Sequence, residues 1–250
     1  MALQVTDALV LHTFDYLETS RIIRLVTRET GVQSVIARGA RRSVKRFGAA
    51  LDLFVSGTAE MQVRHGRELQ QLTGFDVTNA RGALSMDLDR FSSASMLCEL
   101  ALRCSAGEDR GDLYDALTGA LDAVARQSGG AARVEGLAAA WRVIAALGFT
   151  PVLDRCASCH EVIEPSEAAM FSHGLGGATC RVCETQVRGG RRLPPEARDT
   201  LRGWLAGAEV VPPDAGSCRA HVRLLREFIQ HHVSEGVELR AFGTWEAGFA

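Results

Sequence analysis

Arg155-Cys156-Ala157-Ser158-Cys159-His160 and, after nineteen intervening residues, Cys180-Arg181-Val182-Cys183-Glu184 form the stretch that organises the reading of this chain. Each C-x-x-C pair can make a tight turn whose two sulfurs point at one ion. The segment between the pairs is long enough to fold back and set the second pair against the first. The spacing predicts one structural Zn2+ per chain, with Cys156, Cys159, Cys180 and Cys183 as ligands. Four protein ligands leave no position for an activated water. A hydrolytic or deaminating zinc enzyme is therefore disfavoured, although Glu161 and Glu184 adjoin the cysteines. Arg155 and Arg181 would offset part of the negative charge of a four-thiolate centre.

Two competing readings use the same residues. Cys156, Cys159 and His160 spell the attachment pattern of a c-type haem, which goes with export and leaves Cys180 and Cys183 unexplained. A disulfide framework sits badly with seven cysteines, an odd number. Met1 to Thr13 carry neither a basic n-region nor a long apolar h-region, so a cytoplasmic location is expected. His160 then reads as a turn residue following the second thiolate, where glycine fits most easily.

With 250 residues the chain can bury one large core or two modest ones. Hydrophobic residues make up 46% and charged residues 23%, ordinary values for a globular protein, and no apolar run reaches the roughly 20 residues that span a bilayer. The net charge of −2 means that any nucleic-acid site must be local. Lys45 is the only lysine; the arginine bias suits phosphate binding but equally reflects genome composition.

From Val5 to Val77 the pattern predicts five short strands: Val5–Thr13, Arg21–Thr27, Val32–Arg38, Leu51–Arg64 and Glu68–Val77. Apolar and polar residues alternate imperfectly, and Glu29-Thr30-Gly31 signals a hairpin turn. Five strands in about 75 residues fit a small OB-like barrel. Between the third and fourth strands lies a basic loop containing Arg38, Arg41, Arg42, Lys45 and Arg46. Its glycines and serine allow side chains to be aimed at phosphates, and Phe47 at its edge is a candidate for stacking on a base. A solvated charged loop is the plainer alternative.

Beyond Asn79 the period changes to helical, with breaks at Gly107, Gly111 and Ser128-Gly129-Gly130. Cys98, Cys104 and Trp141 read as core residues. Gly148 and Pro151 end the third helix. A zinc module spans about 152–192, in which Phe171 and Leu175 are expected apolar contacts. Pro194-Pro195-Glu196 opens another helix. A last helix is expected over Ser217–Ser234, burying Val222, Leu225, Phe228, Ile229 and Val233 and gathering Arg219, Arg223 and Arg226 on another side. The fold class is thus α+β: an OB-like DNA-binding domain over 1–79, and a helical domain over 80–250 into which the zinc module is inserted.

The order of these parts resembles the RecO family of bacterial DNA repair proteins over nearly the whole chain. The matching residues are Tyr16-Leu17-Glu18, Arg21-Ile22-Ile23-Arg24-Leu25-Val26-Thr27 with Gly31, Ala37-Arg38-Gly39-Ala40-Arg41-Arg42, and Gly148-Phe149-Thr150-Pro151-Val152-Leu153-Asp154-Arg155-Cys156. His160 replaces the glycine that ends the family's C-x-x-C-G. The resemblance implies a recombination mediator and not an enzyme. Such a protein binds single- and double-stranded DNA, anneals strands, and works with RecR to load RecA on strands coated by single-stranded DNA-binding protein (SSB), as part of the RecFOR pathway. It also implies contact between the helical domain and the acidic SSB tail, for which Trp141 with Arg142, or the Arg219, Arg223 and Arg226 face, are the candidates. Nucleoid association during repair follows from the same resemblance, while no membrane and no small-molecule substrate are expected. The alternative is a zinc-ribbon transcription regulator, which would bind DNA at specific sites.

Overall fold

A computed structural model of the chain describes residues 2–41, 47–105, 111–232 and 238–249. Five strands come first: β1 (Ala2–Tyr16), β2 (Ser20–Thr27), β3 (Gly31–Ala37), β4 (Ser56–Val63) and β5 (Leu69–Asn79). They close into a barrel in the order β1-β2-β3-β5-β4, antiparallel throughout except where β3 meets β5. This is the OB arrangement read from the sequence.

β1 explains why the alternation is imperfect. Its first half pairs with β4, its second half with β2, and a register shift between Val10 and His12 bends the strand between them. Ala8 and Val10 point into the barrel core, whereas Leu9 and Leu11 belong to the core of the helices. Leu25 and Val26 on β2 are divided in the same way. A strand buried on both faces loses its two-residue period. The β2–β3 hairpin turns where Glu29-Thr30-Gly31 was expected to turn it: Gly31 has φ 65°, and Thr27 Oγ1 lies 2.8 Å from Thr30 Oγ1.

The strand expected over Leu51–Arg64 is shorter than the sequence suggested. Gly48–Leu51 form a 3-10 turn, Phe54 has φ 70°, and pairing starts only at Ser56. Phe47, Leu51 and Val55 plug the barrel interior instead of continuing a ladder.

Among the described residues six helices follow: α1 (Leu88–Cys104), α2 (Gly111–Arg126), α3 (Gly130–Ala146), α4 (Pro195–Leu205), α5 (Ala215–His232) and α6 (Arg240–Ala247). The Asp87 carboxylate caps α1 by accepting from Arg90 N at 2.9 Å. α3 crosses α1 closely at Gly136, where a β-carbon would stand 2.8 Å from Ser93 Cβ. Gly148, with φ 94°, terminates α3 as expected. α6 was not read from the sequence; it buries Phe242 and Trp245 against the helical core. Val233 and Ser234, assigned to the last helix, and Gly107, assigned to a break, lie outside the described residues.

The barrel and helices share one apolar core, to which Leu9, Leu11, Val26 and Phe54 come from the barrel and Leu97, Leu117 and Leu121 from α1 and α2. Two arginines span the junction. Arg81 donates to Phe54 O, Ser56 Oγ and Asp122 Oδ1 at 2.9, 2.7 and 2.6 Å. Arg28 reaches Asp7 at 3.2 Å and Asp115 at 2.8 Å, with its guanidinium over the Tyr114 ring.

Candidate metal centre and nucleic-acid face

The cysteine module is built on three short strands, β6 (Ala169–Ser172), β7 (Gly177–Thr179) and β8 (Arg191–Leu193), ordered β7-β6-β8. Gly177 permits its packing, since a β-carbon there would fall 2.3 Å from Val152 O. His160 N donates to Cys156 O at 2.9 Å, Glu184 N donates to Cys180 O at 2.9 Å, and Ala157 N donates to Ala178 O at 2.7 Å. The first two bonds close the turns around the pairs, and the third seats the first pair on β7. His160 occupies the expected left-handed position, φ 65°, at a cost on the order of 1 kcal/mol for a residue with a β-carbon.

The four Sγ atoms converge to within 4.8 Å of one another, and Cys159 Sγ lies 3.8 Å from Cys180 Sγ. A tetrahedron with metal–sulfur bonds of about 2.3 Å has edges of about 3.8 Å, so the cluster has the dimensions of a four-thiolate metal site. Burial pushes the Cys156 thiol up, but backbone N–H groups of Cys159, Cys180 and Ser158 outweigh it and hold the group at about 6. Cys183, which shares a hydrogen bond with Cys159, is pushed up to about 12. Protons must therefore leave as a metal enters.

The module is bolted to the helices by Phe171, an apolar contact expected from the sequence, and by Arg191, Arg198 and Glu227, which the sequence reading missed. Phe171 packs on Phe228 of α5 with ring centroids 5.9 Å apart. Arg198 on α4, 1% exposed, donates to Glu164 O and, at 2.9 Å, to Pro165 O. Arg191 makes a two-pronged ion pair with Glu227, which also meets His173 Nε2 at 3.0 Å. The Arg191 pairing holds Glu227 below the usual carboxylate range, and burial holds His173 down. Leu175, expected as an apolar contact, is 48% exposed because Gly176 turns the chain outward there.

At one end of the barrel a groove of about 830 Å³ opens between the β1–β2 turn, the end of β3 and the β4–β5 loop. Its lining includes Tyr16, Arg38, Gln62, Arg64 and Arg67, with Glu68 the only acid among the described residues. Arg38 stands exposed at the start of the basic loop. Arg41 is anchored through its backbone, N to Thr19 O at 3.0 Å, and its side chain lies 3.5 Å from Asp15. Arg42, Lys45 and Arg46 lie outside the described residues.

Several candidates are placed differently from their expected roles. Phe47 is 4% exposed and packs in the barrel core, so its ring offers no face to a base. Trp141 is fully buried against Phe228 and cannot rim a partner pocket. Arg142 is 2.5 Å from Glu135, its charge already matched. Arg219, Arg223 and Arg226 do come together, lining a recess of about 330 Å³ with Val222 and Phe249; Arg226 is paired with Glu246.

An OB barrel with a cationic groove, joined through a common core to a helical domain that carries a four-cysteine knuckle, defines a class of two-part nucleic-acid-handling proteins. Residues 1–81 match the family model described as Recombination protein O N terminal, and residues 85–240 match Recombination protein O C terminal. The chain is similar to DNA repair protein RecO of Anaeromyxobacter dehalogenans (strain 2CP-C), 36% identical over 93% of this chain and 92% of that one. It is also similar to the proteins of that name from Myxococcus xanthus (31% identical, 91% of each chain) and Syntrophotalea carbinolica (37% identical, 73% and 70%). The chain belongs to the RecO family, whose role is in DNA repair and recombination. Neither match supports the transcription-regulator alternative. Among the described residues no helix is long and apolar enough to cross a membrane.

Cobalt titration tests the centre. The wild-type protein is expected to take up one Co2+ per chain with thiolate charge-transfer absorption, more tightly as pH rises, and Cys180→Ser is expected to lose most of that absorption; an unchanged spectrum would remove the four-thiolate assignment.

Proposed function

We propose that this chain is a recombination mediator that holds DNA on its barrel and acts by binding, not by catalysis. The observation that carries this reading is the cationic groove at the β1–β2 and β4–β5 loops, the region through which OB barrels take up oligonucleotides. Arg38 lines it, and by sequence Arg41, Arg42, Lys45 and Arg46 extend the charge. Such contacts go to phosphates and read no sequence, so single and double strands are both bound. Neutralising two strands at one surface lowers their repulsion and favours annealing. RecR and RecA loading on SSB-coated strands complete the reading on the strength of family membership. The site of action is the cytoplasm, at the nucleoid during repair.

Zinc is the proposed occupant of the four-thiolate cluster. Cys156, Cys159, Cys180 and Cys183 would hold it, and the ion would supply a closed structural crosslink, contributing on the order of 10 kcal/mol to local folding. The acidic SSB tail is assigned to the recess of Arg219, Arg223 and Arg226, where the half-buried Phe249 is flanked by cations. The alternative at Trp141 and Arg142 is set aside, because one side chain is buried and the other paired.

If the five loop cations each contact one phosphate of a single strand, log K is expected to fall with log salt with a slope of about −3.5, and Arg38→Ala with Arg41→Ala is expected to reduce it to about −2.1. A flat dependence, or a double variant with the wild-type slope, would sink the loop assignment. For the tail, anisotropy of a labelled acidic SSB-tail peptide is expected to show weaker binding with Arg219→Ala and Arg223→Ala and no change with Arg142→Ala. The reverse pattern would move the site.

A further inference from the structure

A second cavity, about 530 Å³, lies where the outer face of the barrel meets α1 and the start of α6. It falls within the roughly 300–1,000 Å³ common for small-ligand sites, and its lining divides by chemistry. One wall is aromatic. Phe14 is 44% exposed, an unusual position for a large apolar ring, and His12 lies beside it with ring centroids 5.9 Å apart. Leu53, Phe54 and Leu102 add apolar surface, and Arg24, Arg103 and Arg240 add cations.

Among the described residues, the one carboxylate in the lining is already committed. Glu99 accepts from the backbone N–H groups of Arg240 and Phe242, both at 2.9 Å, and so caps the start of α6. Arg240 pairs with Glu238 at 3.0 Å, but Arg103 stands exposed in the last turn of α1, and Arg24 has a buried Nε without a hydrogen-bond partner. An aromatic wall with unmatched guanidinium donors on the barrel and helix sides calls for a flat ring joined to anions. That is the chemistry of a nucleotide unit within a strand.

The cavity also neighbours the groove already described, along β1. His12, Phe14 and Tyr16 fall at alternate positions of β1 and share one face; His12 pairs with Arg24 and Phe14 with Ile22 across the β1–β2 ladder. Tyr16, 40% exposed, lines the barrel groove, while His12 and Phe14 line the junction cavity. A strand lying in the groove therefore has a path of exposed rings leading into the cavity.

We propose that this junction cavity takes one unstacked base of a single strand, with its ring on Phe14 and its flanking phosphates at Arg24 and Arg103. The proposal rests on the DNA-binding reading above and adds a basis for telling strands apart. A single strand offers a base at little cost, whereas a duplex must first break a pair and a stack. The rim arginines alone serve both forms of DNA, and the cavity serves only one.

The test uses the full-length protein, a labelled oligothymidylate and a blunt duplex of the same length. Phe14→Ala is expected to weaken single-strand binding about tenfold, to leave duplex affinity within about twofold, and to leave the salt slope unchanged. Phe14→Tyr, which keeps the ring, is expected to restore single-strand affinity. Arg103→Ala is expected to lower the single-strand salt slope by about 0.7. Phe14→Ala with wild-type single-strand affinity, or with equal losses on both DNA forms, overturns the proposal. Should Arg38→Ala with Arg41→Ala weaken both forms while Phe14→Ala changes neither, only the cavity assignment falls. Wild-type protein with no salt-dependent affinity for either form would remove the underlying reading and this one with it.

Discussion

The buried guanidinium of Arg81 is the constraint on which the rest of the molecule depends. Its side chain is 3% exposed, and it sits where the barrel ends and the helices begin, in a left-handed backbone conformation, φ 44°. One fork reaches the barrel at Phe54 O and Ser56 Oγ, and Nε reaches Asp122 on α2. Asn79 reinforces the junction, since its Oδ1 accepts from Arg81 N at 3.1 Å and its amide donates to Asp122 at 3.2 Å. Only arginine offers several donors in a fixed planar fork without any loss of charge at neutral pH. Because Asp122 is 40% exposed, the pairing contributes less as raw attraction than as position: it fixes the barrel's orientation on the helices. Phe54, whose carbonyl Arg81 holds, lines the junction cavity, so the cavity's shape depends on this contact.

That rigidity separates two tasks along the chain. The cysteine module is fastened to α4 and α5 through Arg198, Phe171 and the Glu227 ion pair, and its four thiols are used up in holding each other or a metal. The two recesses proposed to take DNA lie on the barrel and at its junction with α1. A protein that must hold strands without reading sequence needs exposed cations and rings on a stiff frame. Here the frame comes from the shared core of barrel and helices, and the module is packed against α4 and α5.

The parts legible in the sequence are those whose spacing is local. Two C-x-x-C turns impose a four-residue period that nothing else in the chain imitates, and the left-handed turn at His160 follows from it. The strands are legible where one face is wet, but Ala8–Leu11 and Leu25-Val26 serve two cores at once and lose the alternation. Phe47 sits next to a run of cations and looks like a stacking residue, yet folds inward to fill the barrel. Phe14 carries no such signal, yet stays 44% exposed on the outer face of β1. Arg81, Arg198 and Glu227 find partners 25 to 41, 33 to 34 and 36 to 54 residues away, and no local pattern marks them.

The three tryptophans, Trp141, Trp204 and Trp245, all lie in the helical core, so their fluorescence reports that part alone, while amide exchange of β1 to β5 reports the barrel. Urea unfolding followed by both is the most direct measure of whether Arg81 makes one unit of the two. The wild-type protein is expected to lose both signals at one midpoint, and Arg81→Ala is expected to open the barrel at lower urea than the helices, with a loss on the order of 3 kcal/mol from three broken hydrogen bonds and a stranded Phe54 carbonyl. Coincident, wild-type midpoints in the variant would contradict the account.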